Sequence, residues 1–115
     1  MLIGQSVLAP TAGAVYFSPW VPRRSDAFTA VVEVIQCSAS ASTSLSCEVQ
    51  TKNNEDSDAA LSALATFSVT TTAGAVTTHL CTGSLEQVRY KFTVTGTSST
   101  RWIHFRSDAI VWQPN

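Results

Sequence analysis

Apolar and polar residues alternate with a period of two along most of this sequence. In EQVRYKFTVTG (86–96), every second residue from Val88 to Val94 is apolar, and polar residues such as Arg89 and Lys91 lie between them. A period of two puts successive side chains on opposite faces of a β-strand. The i, i+3, i+4 spacing of an amphipathic helix is almost absent. The alternation therefore predicts an all-β chain with very little helix.

Similar segments recur every ten to fifteen residues and predict how the strands are organised. AFTAVVEVIQC (27–37) points Phe28 to Val34 inward at every second position, and TSLSCEVQT (43–51) does the same from Leu45 to Val49. Seven to eight short strands predict a single-domain antiparallel β-sandwich over residues 1–115, with jelly-roll or Greek-key connections. Residues 1–26 supply an N-terminal strand or arm and a crossing segment bounded by prolines. One or two helical turns around DAALSAL (58–64) are an open alternative to strand.

The charge of the chain excludes several classes of function. Charged residues make up 13% of the 115 positions, the net charge is −1, and fifteen Ser and fifteen Thr accompany only two Lys. A nucleic-acid partner requires clustered Lys and Arg, and the pair Arg23 and Arg24 is too small. MLIGQSVLA reads as a first strand and not as a secretory signal, because it lacks a positive start. No apolar run is long enough to cross a membrane. An uncharged surface of this kind suits contact with neighbouring proteins.

Three cysteines form no self-contained disulfide framework. If SASAST (38–43) connects a hairpin, Cys37 faces about Ser44 and Cys47 faces about Val34. The offset of three residues separates the two thiols by roughly 10 Å, which is beyond disulfide reach. We therefore predict that Cys37, Cys47 and Cys81 are free thiols in a protein made in a reducing cytosol, with Cys47 and Cys81 as small core residues.

The acidic loop in VQTKNNEDSD (49–58) follows a predicted strand and is the only candidate metal site. Glu55, Asp56 and Asp58 offer the oxygen ligands that calcium prefers, but they lack the ligand order and central Gly of an EF-hand. We interpret the loop as the solvated end of a hairpin, open to a partner, with calcium binding as the weaker alternative. No cofactor is predicted.

Catalytic machinery is not evident in the sequence. The two histidines, His79 and His104, lie in no motif, and strand positions of this kind usually hold packed or surface imidazoles. We therefore expect that the protein is not an enzyme. Tyr16, Trp20 and Trp112 could stack on sugar rings, although core or interface roles are commoner for such residues.

The segments VEVIQ, EVQTKNNEDSD, VRYKFTVTG and TRWIHFRSDAIVWQ resemble the small β-sandwich virion proteins that tailed bacteriophages encode beside their capsid genes. The resemblance covers about residues 27–113. It implies a structural capsid decoration or cement protein, made in the host cytoplasm, which binds the major capsid protein and forms a homo-oligomer, often a trimer. The alternative is a carbohydrate-binding or receptor-binding module. On the residues themselves, the interface candidates are Leu2, Ile3, Tyr16, Trp20, Arg23 and Arg24.

Overall fold

The regular structure of the described residues is entirely β. A computed structural model describes residues 4–8, 15–37, 44–57, 61–71, 73–95, 102–107 and 110–113 of the chain. Every strand pairing in these ranges is antiparallel. The strands are β1 (Gly4–Leu8), β2 (Val15–Phe17), β3 (Val21–Pro22), β4 (Ala27–Cys37), β5 (Ser44–Lys52), β6 (Ser62–Val69), β7 (Val76–Thr82), β8 (Gln87–Thr95), β9 (Ile103–Ser107) and β10 (Val111–Trp112).

Two sheets divide these strands. Sheet A contains β1, β4, β7, β9 and β10, and sheet B contains β2, β3, β5, β6 and β8. Thr29 of β4 pairs with Leu80 of β7 on one side and with Val111 of β10 on the other, and Glu33 lies likewise between Val76 and Arg106. β9 and β10 therefore share one edge of β4. β2 and β3 likewise share the edge of β8 that β5 does not occupy.

The strand order identifies the connection type. If β2 and β3 are counted as one strand, and β9 and β10 as another, the described part of the chain has eight strands in sequence order. In that count the strand order of sheet A is 1-8-3-6 and the strand order of sheet B is 2-7-4-5. The first strand thus pairs with the eighth, the second with the seventh, the third with the sixth and the fourth with the fifth. A long antiparallel hairpin rolled into two sheets gives this arrangement, which is the jelly roll. The predicted β-sandwich of seven to eight strands is confirmed.

The core lies between the two sheets and matches the predicted alternation. The inward residues of β4, β5 and β8 are fully buried, as the sequence predicts, because alternate positions of these central strands all face the opposite sheet. Phe92 of sheet B packs against Phe105 of sheet A with ring centroids 4.6 Å apart, and Tyr16 contacts both rings. The buried apolar side chains of these strands and β9 are Phe28, Ala30, Val32, Val34, Leu45, Cys47, Val49, Val88, Tyr90, Phe92, Val94, Ile103 and Phe105.

Buried Ser and Thr hydroxyl groups form hydrogen bonds with backbone groups where the pairing between strands is interrupted. Between β2 and β3, the Ser18 hydroxyl accepts a hydrogen bond from the Tyr90 amide at 2.8 Å. The Thr51 hydroxyl donates to the carbonyl of Gln87 and accepts from the amide of Leu85, both at 2.8 Å. These bonds replace ladder bonds that the irregular chain cannot make. Such uses account for part of the high Ser and Thr content.

Two sequence predictions about local structure are wrong. The supposed hairpin between Cys37 and Ser44 does not exist, because β4 lies in sheet A and β5 in sheet B. The three cysteines are nevertheless free, as predicted. The helical alternative at 58–64 is wrong for Ser62–Leu64, which belong to β6, while 58–60 lie outside the described residues. Gly74, between β6 and β7, has a φ of 82°, which is in the left-handed region that favours glycine.

Candidate interaction surfaces

The acidic loop is an ordered turn that closes the β5–β6 hairpin. The Asp56 carboxylate accepts a hydrogen bond from the Asn53 amide at 3.0 Å, and the Asp56 amide donates to the Asn53 carbonyl. The ammonium group of Lys52 donates to the Asp56 carbonyl. Asn53 and Asp56 are therefore joined by two hydrogen bonds, one accepted by the Asn53 carbonyl and one by the Asp56 side chain. The carboxylate of Asp56 thus has a structural role in the turn, as the hairpin-end interpretation of this loop predicts.

The proposed calcium ligands do not converge in the described part of the chain. Glu55 is exposed, Asp56 is engaged in the turn, and Asp58 lies outside the described residues. The described ranges contain no group of three or more His, Cys, Asp or Glu side chains that could hold a metal ion. Across the loop, Glu86 accepts hydrogen bonds from the amide and the side chain of Asn54. These bonds hold the hairpin end against the start of β8.

Trp20 is part of a cation–π cluster on the outer face of sheet B. The guanidinium of Arg89 lies 4.5 Å from the Trp20 ring centroid and 4.3 Å from that of Phe17. Lys52 lies 4.8 Å from the Trp20 centroid. Arg89 Nε also donates to Gln50 Oε1 at 2.8 Å. A cation over an aromatic face is a favourable arrangement that holds both groups in place.

The remaining groups on this face are also joined. The Gln50 amide nitrogen donates to Glu48 Oε2 at 2.9 Å, and Lys91 lies 3.9 Å from the same oxygen. The outer face of sheet B therefore carries a connected set of charged and aromatic side chains. We call this set the sheet B network: Phe17, Trp20, Glu48, Gln50, Lys52, Arg89 and Lys91.

The three aromatics considered as a sugar platform do not share a surface. Tyr16 packs inward against the core, and Trp112 lies 5.1 Å from Phe28 on sheet A. Trp20 is alone of the three on the outer face of sheet B. Phe17, which the sequence interpretation passed over, is the ring beside it, and 45% of Phe17 is exposed. The alternation around Tyr16 could have identified Phe17, because neighbouring strand residues face opposite sides.

The other interface candidates are spread along the N-terminal segment. Arg23 forms an ion pair with Asp26, and its amide donates to the Glu86 carbonyl at 2.9 Å. Arg24 is exposed. Leu2 and Ile3 lie outside the described residues. The crossing segment is thus held against the start of β8, and the structure brings Trp20, but not Arg23, into the sheet B network.

The outer face of sheet A is aliphatic and was not recognised from the sequence. Leu80, Val76 and Val111 are exposed by 60%, 58% and 55%. Thr29 lies between Leu80 and Val111 in register, so one row crosses three strands. Four residues further along β4, Glu33 lies between Val76 of β7 and Arg106 of β9. Glu33 accepts a 2.6 Å hydrogen bond from Arg106 Nε. We call this surface the sheet A face: Thr29, Val31, Glu33, Val76, Thr78, Leu80, Arg106 and Val111.

The sheet A face was missed because β7 reverses the usual pattern. In AVTTHLC, Val76 and Leu80 are the large aliphatic residues of one parity, and a hydrophobic-inside interpretation would bury them. Instead the opposite parity, with His79 and Cys81, faces sheet B. His79 is half-buried and stacks on Phe67, so it is a packed imidazole. His104 is half-buried in β9.

Three titratable groups of the core interact with one another. Burial raises the pKa of Cys81 from its ordinary 9.0 to about 11. Burial is the main cause of the raised pKa of Cys47, and the nearby Cys81 and Glu48 raise this pKa further. Burial is likewise the main cause of the raised pKa of Tyr90, and the thiols of Cys47 and Cys81 add to it. The cluster is therefore neutral at physiological pH, as expected for packed core groups.

Comparison with protein-family models, with curated proteins and with solved structures finds no match to this chain. The described residues enclose no detectable pocket. They also include no helix of the length and hydropathy needed to span a membrane. The fold and its two unlike outer faces are therefore the observations from which a function must be argued.

Proposed function

We propose that this chain is a structural virion protein of a tailed bacteriophage, a capsid decoration protein that binds the major capsid protein. In this proposal it is made in the host cytoplasm, becomes part of the virion and carries out no catalysis. The observation that carries the proposal is the sheet A face. Jelly rolls occur in viral capsid proteins and in lectins, so the fold is compatible with both of the functions weighed.

The sheet A face has the properties of a docking surface. Its three most exposed residues, Leu80, Val76 and Val111, are aliphatic and project from rigid strands. Strands are about 4.8 Å apart, so Leu80 and Val111, on either side of β4, are separated by about 10 Å. Burial of apolar surface contributes roughly 25 cal/mol per Å². A flat partner surface could therefore gain free energy here without reorganising the sandwich.

The opposite face lacks these properties. In the sheet B network, Arg89 contacts two aromatic rings and bonds to Gln50, and Glu48 contacts both Gln50 and Lys91. A partner that covered this face would have to desolvate charged groups that already interact with one another. The sheet A face has one such ion pair, Glu33 with Arg106, beside its three exposed aliphatic residues. The smaller number of charged groups supports sheet A as the side that contacts the capsid.

Substitutions on the two faces test the proposal. Val111→Glu and Leu80→Glu each place a charge on the sheet A face, and we expect them to abolish co-sedimentation with capsids built from the major capsid protein of the same genome. Val15→Glu is the matched control, because Val15 is an exposed valine of sheet B. Circular dichroism melts verify that each variant folds. Wild-type protein that does not sediment with capsids, or a Leu80→Glu variant that still does, would overturn the proposal.

Carbohydrate binding is the second candidate, and one observation favours it. The exposed ring of Phe17 adjoins Trp20 and Arg89, and aromatic rings with nearby polar groups are suited to sugars. However, Arg89 and Lys52 lie over the Trp20 ring, where a sugar ring would stack. A glycan array with wild type and Phe17→Ala tests this candidate. Saturable binding that Phe17→Ala abolishes, together with absent capsid binding, would establish it in place of the virion role.

A further inference from the structure

One side of the sandwich carries no formal charge over a long stretch of chain. Residues 59–85 contain no Asp, Glu, Lys or Arg. This stretch includes β6 and β7. In the described ranges, β6 pairs only with β5 and β7 pairs only with β4, so each is an edge strand of its sheet. Both edges lie on the same side of the sandwich, because side chains of the two strands contact one another.

Two contacts fasten these two edges together. The rings of Phe67 and His79 stack with centroids 4.8 Å apart. The amide of Thr70 donates to the Thr77 hydroxyl at 3.1 Å. The side chains thus close the gap between the sheets. Among the described residues, no strand pairs with the side of β6 that points away from β5, which is the edge of sheet B.

An edge strand normally carries features that prevent pairing with another chain. Charged residues, prolines and bulges are the common ones. β6 has no charge and no proline, and its single irregularity lies between Ala63 and Ala65, so Ala65–Val69 is a regular strand. The other edge of sheet B, formed by β2 and β3, is interrupted at Pro19 and ends at Pro22. Within sheet B, β6 is therefore the better edge for strand addition.

We infer that β6 pairs antiparallel with β6 of a second copy of this chain, across a twofold axis, and joins the two B sheets into one. Antiparallel pairing of a strand with itself is self-complementary about a twofold axis. When the twofold axis passes at Thr66, Thr66 lies opposite its own copy and Ala65 lies opposite Phe67, so the outer face of one B sheet continues the outer face of the other. Because the strand is uncharged, no residue of β6 meets a like charge there. The trimer that the phage resemblance implies would require β6 to meet a different edge, such as the interrupted β2 and β3.

Charge substitutions at Thr66 test this inference. Thr66 is exposed, so a charged side chain is accommodated in the monomer. We expect light scattering after size exclusion to give twice the chain mass for wild type, and the monomer mass for both Thr66→Lys and Thr66→Glu. An equimolar mixture of the two variants should recover the dimer, because opposite charges then meet near the axis. Gln36→Lys is the matched control, since Gln36 is exposed in the central strand β4 and should leave the dimer intact.

Hydrogen exchange locates the interface independently. Amides of β6 should exchange more slowly in the wild-type dimer than in Thr66→Lys, whereas amides of the central β4 should not differ. Wild type that stays monomeric at millimolar concentration overturns the inference, and so does a trimer or an open-ended assembly. A dimer that persists in Thr66→Lys also overturns it. These outcomes are independent of capsid binding, which the sheet A face substitutions measure.

Discussion

The imidazole of His79 stacks on the ring of Phe67, with the ring planes 8° apart. The pair joins an edge strand of sheet A to an edge strand of sheet B. Both residues are half-buried, so the stack closes the side of the core without being enclosed by it. In a jelly roll, the fifth and sixth strands are connected across the two sheets, and this contact fixes how close their edges come.

Phe67→Ala should therefore destabilise the sandwich more than a surface change would. Full truncation of a buried Phe costs about 3–5 kcal/mol, and for a half-buried ring we expect about 2 kcal/mol. Gln36→Ala, at an exposed position of the central strand β4, should stay within about 0.5 kcal/mol of wild type. Urea unfolding followed by circular dichroism measures both. Equal stability of the two variants would contradict the role assigned to the stack.

Substitutions at Ser18 and Tyr90 should change stability in opposite directions. Ser18→Ala leaves the buried Tyr90 amide without its 2.8 Å acceptor, so we expect a loss of about 1–2 kcal/mol. The Tyr90 hydroxyl is buried and has no hydrogen-bond partner in the described part of the chain. Tyr90→Phe should therefore be neutral or stabilising by up to about 1 kcal/mol. Thermal and urea unfolding of the two variants should shift stability in these different directions.

Much of the fold was predictable because the central strands obey a simple rule. β4, β5 and β8 each have neighbours on both sides, and their alternation identifies the buried face correctly. The hairpin between β4 and β5 was wrong because a connection that crosses between sheets has no local signal. SASAST could equally join two strands of one sheet. Only the pairing of distant segments, such as β4 with β9, distinguishes the two.

The candidate surfaces were less predictable for a different reason. Leu80 and Val76 have residue types that normally face the core, and only the packing of β7 against β4 shows that they face outward. Arg89 was recognisable as outward from its parity. Its position between Phe17 and Trp20 depends on the alignment of three strand segments. Surface function depends on this assembly, which short-range patterns do not encode.

The buried thiols predict how stability depends on alkaline pH. The pKa of Cys81 is raised in the folded state to about 11, whereas an unfolded thiol titrates near 9.0. The unfolded state therefore loses this proton first, and the stabilisation present below pH 9 is lost as pH rises towards 11. The slope is at most about 1.4 kcal/mol per pH unit for each such group. Cys81→Ala should make the decline shallower, whereas Val69→Ala should lower stability without changing its slope. Identical slopes in urea unfolding at pH 8 to 11 would refute this assignment.

Calcium should not alter the stability of the protein. Ligand binding to the native state adds RT ln(1 + [L]/Kd) to the free energy of unfolding, so a real site would raise Tm when calcium is added. Because Asp56 is bonded to the Asn53 amide within the turn, we expect the same Tm in millimolar calcium and in a chelator. Asp56→Ala should lower Tm in both, through loss of the turn. A rise in Tm that chelation reverses and Asp56→Ala removes would assign a calcium site to this loop.

Deletions of different lengths should show whether the N-terminal residues act as an arm or as a strand of sheet A. β1 pairs with β9 from Gly4↔Ser107 to Leu8↔Ile103, so residues 4–8 are the edge of sheet A and not a detachable segment. Removing residues 1–3 should leave the free energy of unfolding within about 0.5 kcal/mol of wild type, because these residues precede the β1–β9 ladder. Removing residues 1–8 strips the ladder and should speed amide exchange along β9 as well as lower stability. The pairing of β1 therefore predicts a structural defect, in addition to any effect of this deletion on capsid attachment. Unchanged β9 exchange after removal of residues 1–8 would show that β1 is dispensable, and any loss of capsid binding could then be assigned to an N-terminal arm.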